Sequence, residues 1–171
     1  MKPFILWMTG LPCSGKTTIV KDLQKDISNL AMLDGDELRE WFSPKDFSKE
    51  GRDEHNNKVA HLAKLLLNHG VPSVVSLVSP YNENRENARK IIDAGDQFAE
   101  CFVKCSLEKC EERDVKGMYA KARKGEIKGF TGIDDPYEAP ETPDLVIDTE
   151  HDSLSDSAKK VKNFLNGRNL L

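Results

Sequence analysis

Residues 10–17 read Gly10-Leu11-Pro12-Cys13-Ser14-Gly15-Lys16-Thr17, a complete G-x-x-x-x-G-K-[ST] phosphate-binding loop. An apolar run, Phe4-Ile5-Leu6-Trp7-Met8, precedes it, and a helix-like stretch from Thr17 to Ile27 follows. In a strand, glycine loop and helix, successive backbone N–H groups point at one anion and the helix N-terminus adds partial positive charge. The stretch therefore predicts binding of a nucleoside triphosphate. Lys16 would neutralise charge growing on the transferring phosphoryl group. Thr17 would offer its hydroxyl to Mg²⁺, a hard cation that prefers oxygen. Gly10 and Gly15 let the backbone approach the phosphates without a Cβ. Leu11, Pro12, Cys13, Ser14 and Thr18 complete the expected ATP contacts on this loop. Cys13 reads as a small residue that fits rather than as a reactive thiol.

Outward from the loop, strands and helices alternate. The pattern predicts strands at 3–8, 30–33, 72–78, 99–104 and 144–147, and helices at 16–28, 53–69, 83–94, 106–113 and 153–166. Residues 71–78 are nearly all small or β-branched, as in a strand buried on both faces. Val59, Leu62, Ala63, Leu66 and Leu67 recur at helical spacing, so one face of that helix packs inward. The expected fold is α/β, a P-loop kinase fold in one domain over 1–171. Its five-stranded, mostly parallel sheet carries helices on both faces and a mobile lid at 113–133.

In such a sheet, ligands sit beyond the carboxyl ends of the strands. Asp34-Gly35-Asp36 follows the second strand. One carboxylate could hold magnesium while the other orients or deprotonates an attacking hydroxyl. An Asp-Gly turn in which Asp36 caps the next helix is the simpler alternative. Ser79-Pro80-Tyr81 follows the third strand. Residues 113–133 hold four glycines and many basic side chains, the composition of a lid over phosphates. Arg113 and Lys116 are its best anion contacts. Phe130 among those glycines, and Phe47 in the 43–52 loop, could clamp a flat base or serve as loop anchors.

Composition narrows the classes. The chain has 171 residues and a formal net charge of −4, which argues against a nucleic-acid-coating protein. No run approaches transmembrane length, and the N-terminus lacks a signal-peptide pattern. Four cysteines without paired C-x-x-C spacing suggest reduced thiols in a cytoplasmic protein. The four histidines show no metal-ligand pattern.

The chain resembles the adenylyl-sulfate kinases. The resemblance runs to about residue 148 and is strongest in Leu33-Asp34-Gly35-Asp36-x-x-Arg39, Ser79-Pro80-Tyr81, Arg113-Asp114-Val115-Lys116-Gly117, Gly125–Gly132 and Pro136-Tyr137-Glu138-Ala139-Pro140. It implies transfer of the γ-phosphate of ATP, with Mg²⁺, to the 3′-hydroxyl of adenosine 5′-phosphosulfate, giving PAPS for sulfate assimilation. It puts Asp36, Arg39, Phe47, Arg52, Val78, Ser79, Lys116, Gly129 and Phe130 around the sulfonucleotide, with Phe47 and Phe130 as a base sandwich and Arg39 and Arg52 on the anionic end. Lys16, Asp34, Asp36 and Ser79 form the implied catalytic set, Asp34 joining Thr17 at the metal. Ser79 matches a serine proposed in the family as a phosphoenzyme position. A substrate contact suits it better, since no base is evident beside it. The resemblance also suggests a homodimer.

Departures from the family pattern leave the acceptor open. His55 stands where asparagine is usual within the substrate-contacting segment, Asn57-Lys58 replaces a basic pair, and Asn82 replaces a larger residue. A sister nucleotide 3′-kinase acting on another 5′-modified nucleotide, such as cytidine diphosphoramidate in capsule biosynthesis, is the main alternative. A non-catalytic ATP-binding regulatory protein is the minor one, disfavoured because Lys16, Thr17, Asp34, Asp36 and the lid are all present.

Overall fold

The computed structural model describes residues 2–42 and 46–171. Strands β1 (Ile5–Thr9), β2 (Ala31–Asp34), β3 (Ser73–Ser76), β4 (Phe98–Lys104) and β5 (Leu145–Asp148) form one sheet in the order β2-β3-β1-β4-β5. Every neighbouring pair is parallel, so the sheet is wholly rather than mostly parallel. The helices are α1 (Lys16–Asp26), α2 (Gly35–Phe42), α3 (Lys49–Asn68), α4 (Asn82–Ile92), α5 (Leu107–Arg113), α6 (Met118–Arg123) and α7 (Leu154–Gly167).

The central strand β1 shows why both faces need cover. Phe4, Leu6 and Met8 pack with Ile19, Val20 and Leu23 of α1 and Val161 and Leu165 of α7. Ile5 and Trp7 point the other way, among Val59, Ala60 and Ala63 of α3 and Ala88 and Ile92 of α4. Successive side chains of a strand alternate faces, so one continuous apolar run serves two cores. Val74 and Val75 of β3 divide the same way.

Three elements depart from the sequence expectation. Helix α3 begins at Lys49 rather than near 53, started by the Ser48 hydroxyl accepting from the Gly51 amide at 3.1 Å. Its first turn, Lys49-Glu50-Gly51-Arg52, carries no apolar periodicity to reveal it. Helix α2 is not among the expected helices; among its described side chains, Leu38 is the buried apolar anchor. Helix α6 lies inside the expected flap, with Tyr119 and Ala122 turned inward. Its start is fixed by the Asp114 carboxylate, which accepts from the Tyr119 and Ala120 amides at 3.0 Å each. The expected 43–52 loop is described only from Asp46, residues 43–45 lying outside the described residues. No helix among the described residues is long and apolar enough to cross a membrane.

The topology fixes where a ligand can sit. From β1 the chain reaches β3 on one side and β4 on the other, which opens a crevice at the carboxyl edge. Gly10 leaves β1 so close to β4 that a Cβ there would lie 2.5 Å from the Val103 carbonyl oxygen. Only glycine lets the loop turn into the crevice at that point.

Candidate active site

The donor side of the crevice is centred on the loop itself. Gly15 ends it with φ +99°, and Cys13 holds φ +62°, a left-handed conformation that costs a non-glycine residue roughly 1–2 kcal/mol. Lys16 is 8 % exposed and folds back over the loop. Its ammonium donates to the carbonyls of Gly10 and Leu11, both at 2.8 Å, and to the Ser14 hydroxyl at 3.3 Å. Burial pulls its pKa down to about 8, against the opposing pull of Cys110, Asp34 and Asp36. An incoming polyphosphate would supply the countercharge that these neutral acceptors lack.

Asp34 does two jobs at the end of β2. One carboxylate oxygen accepts from the Thr17 hydroxyl at 2.8 Å, and the other accepts from the amides of Asp36 at 3.0 Å and Glu37 at 3.4 Å. It is therefore Asp34, not Asp36, whose side chain starts α2. The Ser76 hydroxyl lies 3.2 Å from that of Thr17, so three hard oxygens gather beside the loop. Among the described residues no group of three or more His, Cys, Asp or Glu could hold a metal alone. The Thr17–Asp34 oxygens suit Mg²⁺ all the same, since that ion keeps several waters and takes other ligands from phosphates.

Arg113 closes the donor side. It donates to the Thr149 carbonyl at 2.5 Å and reaches the Cys13 carbonyl at 3.4 Å. The Thr149 hydroxyl in turn donates to the Ser14 carbonyl at 2.6 Å. Sequence reading missed Thr149, although its place one residue beyond β5 is where this fold puts ligand contacts.

The loop lines one end of a cleft of about 920 Å³ that continues to the acceptor side. Asp36 is exposed at its mouth and pairs with Lys116 at 2.5 Å. Both side chains are largely in solvent, so the pair adds little stability and opens readily. Arg39 donates to the Asp46 carbonyl at 2.8 Å and lays its guanidinium over the Phe47 ring, 4.8 Å from the centroid.

Arg52, which the resemblance places on the anionic end, also has partners within the protein. It is 8 % exposed, donating from Nε to the Phe47 carbonyl at 2.9 Å and from Nη2 to the Gly129 carbonyl at 2.7 Å. Asp135 lies 3.6 Å from the same guanidinium and also accepts from the Tyr81 hydroxyl at 2.9 Å. One planar cation thus ties together the backbones behind both phenylalanines. Phe130 meets the edge of buried Tyr119 at 4.9 Å, and the Tyr119 hydroxyl donates to the Pro12 carbonyl at 2.9 Å. Tyr119 was not singled out from sequence, because its partners lie in the donor loop and beyond the end of its own helix.

The cleft floor holds Val78, Ser79 and His55. Ser79 is 2 % exposed with φ +43°. Its hydroxyl accepts from Trp7 Nε1 and donates to Asn56 Oδ1, both at 3.2 Å. Neither neighbour can take its proton. His55 is 3 % exposed. Burial first, and then the nearby Arg39 cation, push its pKa down to about 4, so a neutral imidazole faces the cleft at physiological pH. Of the residues singled out from sequence, Pro12, Cys13, Gly15, Lys16, Thr17, Thr18, Asp34, Asp36, Arg39, Phe47 and the remaining acceptor-side and lid residues line this one cleft, while Gly10, Leu11 and Ser14 stand behind it. All four cysteines are free.

This geometry has counterparts. The sequence profile described as adenylylsulphate kinase matches residues 2–148. The adenylyl-sulfate kinase of Staphylococcus epidermidis is 42 % identical over 169 residues, covering 96 % of this chain and 84 % of its own. The Mycobacterium tuberculosis APS kinase CysC, solved in complex with AMPPNP and APS, superposes with a TM-score of 0.88 at 40 % identity, covering 96 % of this chain and 98 % of that one. A gluconokinase from Sinorhizobium meliloti shares the fold alone, with a TM-score of 0.65 at 15 % identity. The chain belongs to the adenylylsulphate kinase family.

Proposed function

We propose that this chain transfers the γ-phosphate of ATP to the 3′-hydroxyl of adenosine 5′-phosphosulfate, releasing ADP and PAPS. The observation that carries the reading is the continuity of one cleft, with a phosphate loop at one end and two phenylalanines backed by two arginines at the other. A simple ATPase would leave the second half without a purpose. Family membership supports the same acceptor.

In the proposed reaction the acceptor 3′-oxygen bonds to the γ-phosphorus while the bond to the β–γ bridging oxygen breaks and ADP leaves. Asp36, exposed at the junction of the two halves, orients the hydroxyl and receives its proton. Lys116 sits on one carboxylate oxygen of Asp36, which leaves the other oxygen to meet an acceptor hydroxyl. Lys16 stabilises charge on the moving phosphoryl group. Mg²⁺, held through Thr17 and Asp34, would offset negative charge on the donor phosphates. Ser79 forms part of the acceptor wall and no phosphoenzyme is required, because in-line transfer needs positioning and charge stabilisation only. A homodimer belongs to the same proposal on family resemblance alone.

The test is ADP release with MgATP and two acceptors in parallel, adenosine 5′-phosphosulfate and cytidine diphosphoramidate. Turnover with the first alone supports the proposal and makes His55 a tolerated neutral wall. Preference for the second keeps the mechanism and overturns the acceptor. In either case Asp36→Asn should lower kcat by about 10²–10³-fold with ATP binding retained. Unchanged turnover in that variant removes Asp36 from its role.

A further inference from the structure

Helix α4 carries a buried cation that does not line the cleft. Arg85 is 4 % exposed, and its donors run in three directions. Nε lies 2.8 Å from a carboxylate oxygen of Glu100 on β4. Nη1 donates to the Ser79 carbonyl at 2.6 Å. Nη2 donates to the Glu138 carbonyl at 2.7 Å and also to the Asn82 side chain. One rigid fork therefore joins the sheet, the turn after β3, and the strap that follows the lid.

Those two loops are where the acceptor half needs precision. Ser79 lines the cleft in a left-handed conformation, and its carbonyl is held by Arg85 and, at 3.3 Å, by the Thr9 hydroxyl. Glu138 is held at three points. Its amide donates to the Pro80 carbonyl at 2.8 Å, its carboxylate accepts from the Asn82 amide at 2.7 Å, and its carbonyl belongs to Arg85. The strap also carries Asp135, which meets Tyr81 and Arg52 and through Arg52 reaches Phe47 and Gly129. A shift of the strap would be passed to the backbones behind both phenylalanines.

A buried ion pair by itself is weak evidence of function, since an apolar pair of similar volume often serves as well. Here only one of the contacts goes to the carboxylate. The others satisfy two carbonyls from segments that no secondary structure joins. A lysine carries its donors on one nitrogen and could not span acceptors that Arg85 reaches from three separate nitrogens.

We propose that Arg85 is a positioning residue for the phosphoryl transfer, balanced by Glu100 and fixing the Ser79 turn against the 131–140 strap so that the acceptor wall keeps its shape. The inference rests on the kinase reading given above. Two variants separate it from a purely structural role. Arg85→Lys keeps the charge but loses the fork. The double variant Arg85→Met/Glu100→Gln removes both charges, so neither is left buried alone.

The expected result is folded protein in both cases, with the KM for MgATP within about twofold of the parent and the KM for adenosine 5′-phosphosulfate raised about tenfold or more. The Glu138 amide should exchange hydrogen faster in both variants. Parent-like acceptor KM and Glu138 exchange in the double variant would overturn the inference, as would equal losses for donor and acceptor. If the parent protein phosphorylates no adenosine 5′-phosphosulfate, the kinase reading fails instead. Glu138 exchange still decides whether Arg85 fixes the strap.

Discussion

The two halves of the cleft differ in how much of each is closed within a single motif. At the centre of the donor half, the Lys16 ammonium binds partners two, five and six residues away, and braces from outside the motif, Arg113 to Cys13 across 100 residues and Thr149 to Ser14 across 135, are added around it. In the acceptor half, the decisive contacts join residues far apart in the chain. Arg52 reaches Gly129 across 77 residues, Tyr81 reaches Asp135 across 54, and Lys116 reaches Asp36 across 80. A local motif closes its own loop at little entropic cost, whereas the acceptor wall exists only once the sheet and its flanking helices have brought distant segments together. The loop around Lys16 should therefore tolerate loosening of the fold that the acceptor wall does not.

The largest expected effect breaks the donor half at its centre. Lys16→Met should lower kcat by about 10³-fold or more, with the melting temperature unchanged or raised, because a desolvated ammonium is removed. A fully active variant would show that the charge acts elsewhere. In the acceptor half, Phe47→Ala and Phe130→Ala should each raise the acceptor KM by about tenfold to a hundredfold, leaving that for MgATP near the parent value. Equal effects on both substrates would mean that the rings only anchor loops.

A pH experiment sharpens the contrast. In the empty protein the Lys16 pKa is lowered to about 8 from 10.5. Phosphates would raise it again, so between those values nucleotide binding must take up a proton. Calorimetry in buffers of different ionisation enthalpy should show that uptake, and ATP affinity should fall as pH rises through about 8, by up to about tenfold per unit. The same shift has a sign for stability. The unfolded chain holds more protons there, so this group's contribution to stability rises from about pH 8 to 10.5. Lys16→Met should abolish both the uptake and this slope.

The smallest expected effect concerns the link between the halves. Tyr119→Phe deletes the hydroxyl that reaches Pro12 but keeps the ring against Phe130. It should cost about 1 kcal/mol of stability and leave acceptor KM nearly unchanged. A large rise in acceptor KM would mean that the donor loop helps to shape the acceptor wall.

What the sequence disclosed follows the same division. Gly10–Thr17, Asp34 and the apolar run of β1 were legible because their meaning lies in spacing along the chain. Helices α2 and α6 were not, since each is short and held by few inward residues, chiefly Leu38 in one and Tyr119 and Ala122 in the other. The cationic lid composition was visible, but the helix within it depends on the Asp114 carboxylate rather than on periodicity. Arg52 was found through family resemblance, and its bonds to Phe47 and Gly129 became visible only in three dimensions. Arg85 and Asp135 gave no signal, because an arginine on a helix and an aspartate in a loop ordinarily face water.

The most direct test is a pair of dissociation constants, for AMPPNP and for adenosine 5′-phosphosulfate, followed through urea concentrations below the unfolding transition. The account predicts that acceptor affinity weakens first while AMPPNP affinity stays level until the fold is lost. Parallel decline of the two, or earlier loss of AMPPNP binding, would contradict the claim that the phosphate loop is closed chiefly by its own local contacts and the acceptor wall by the whole fold.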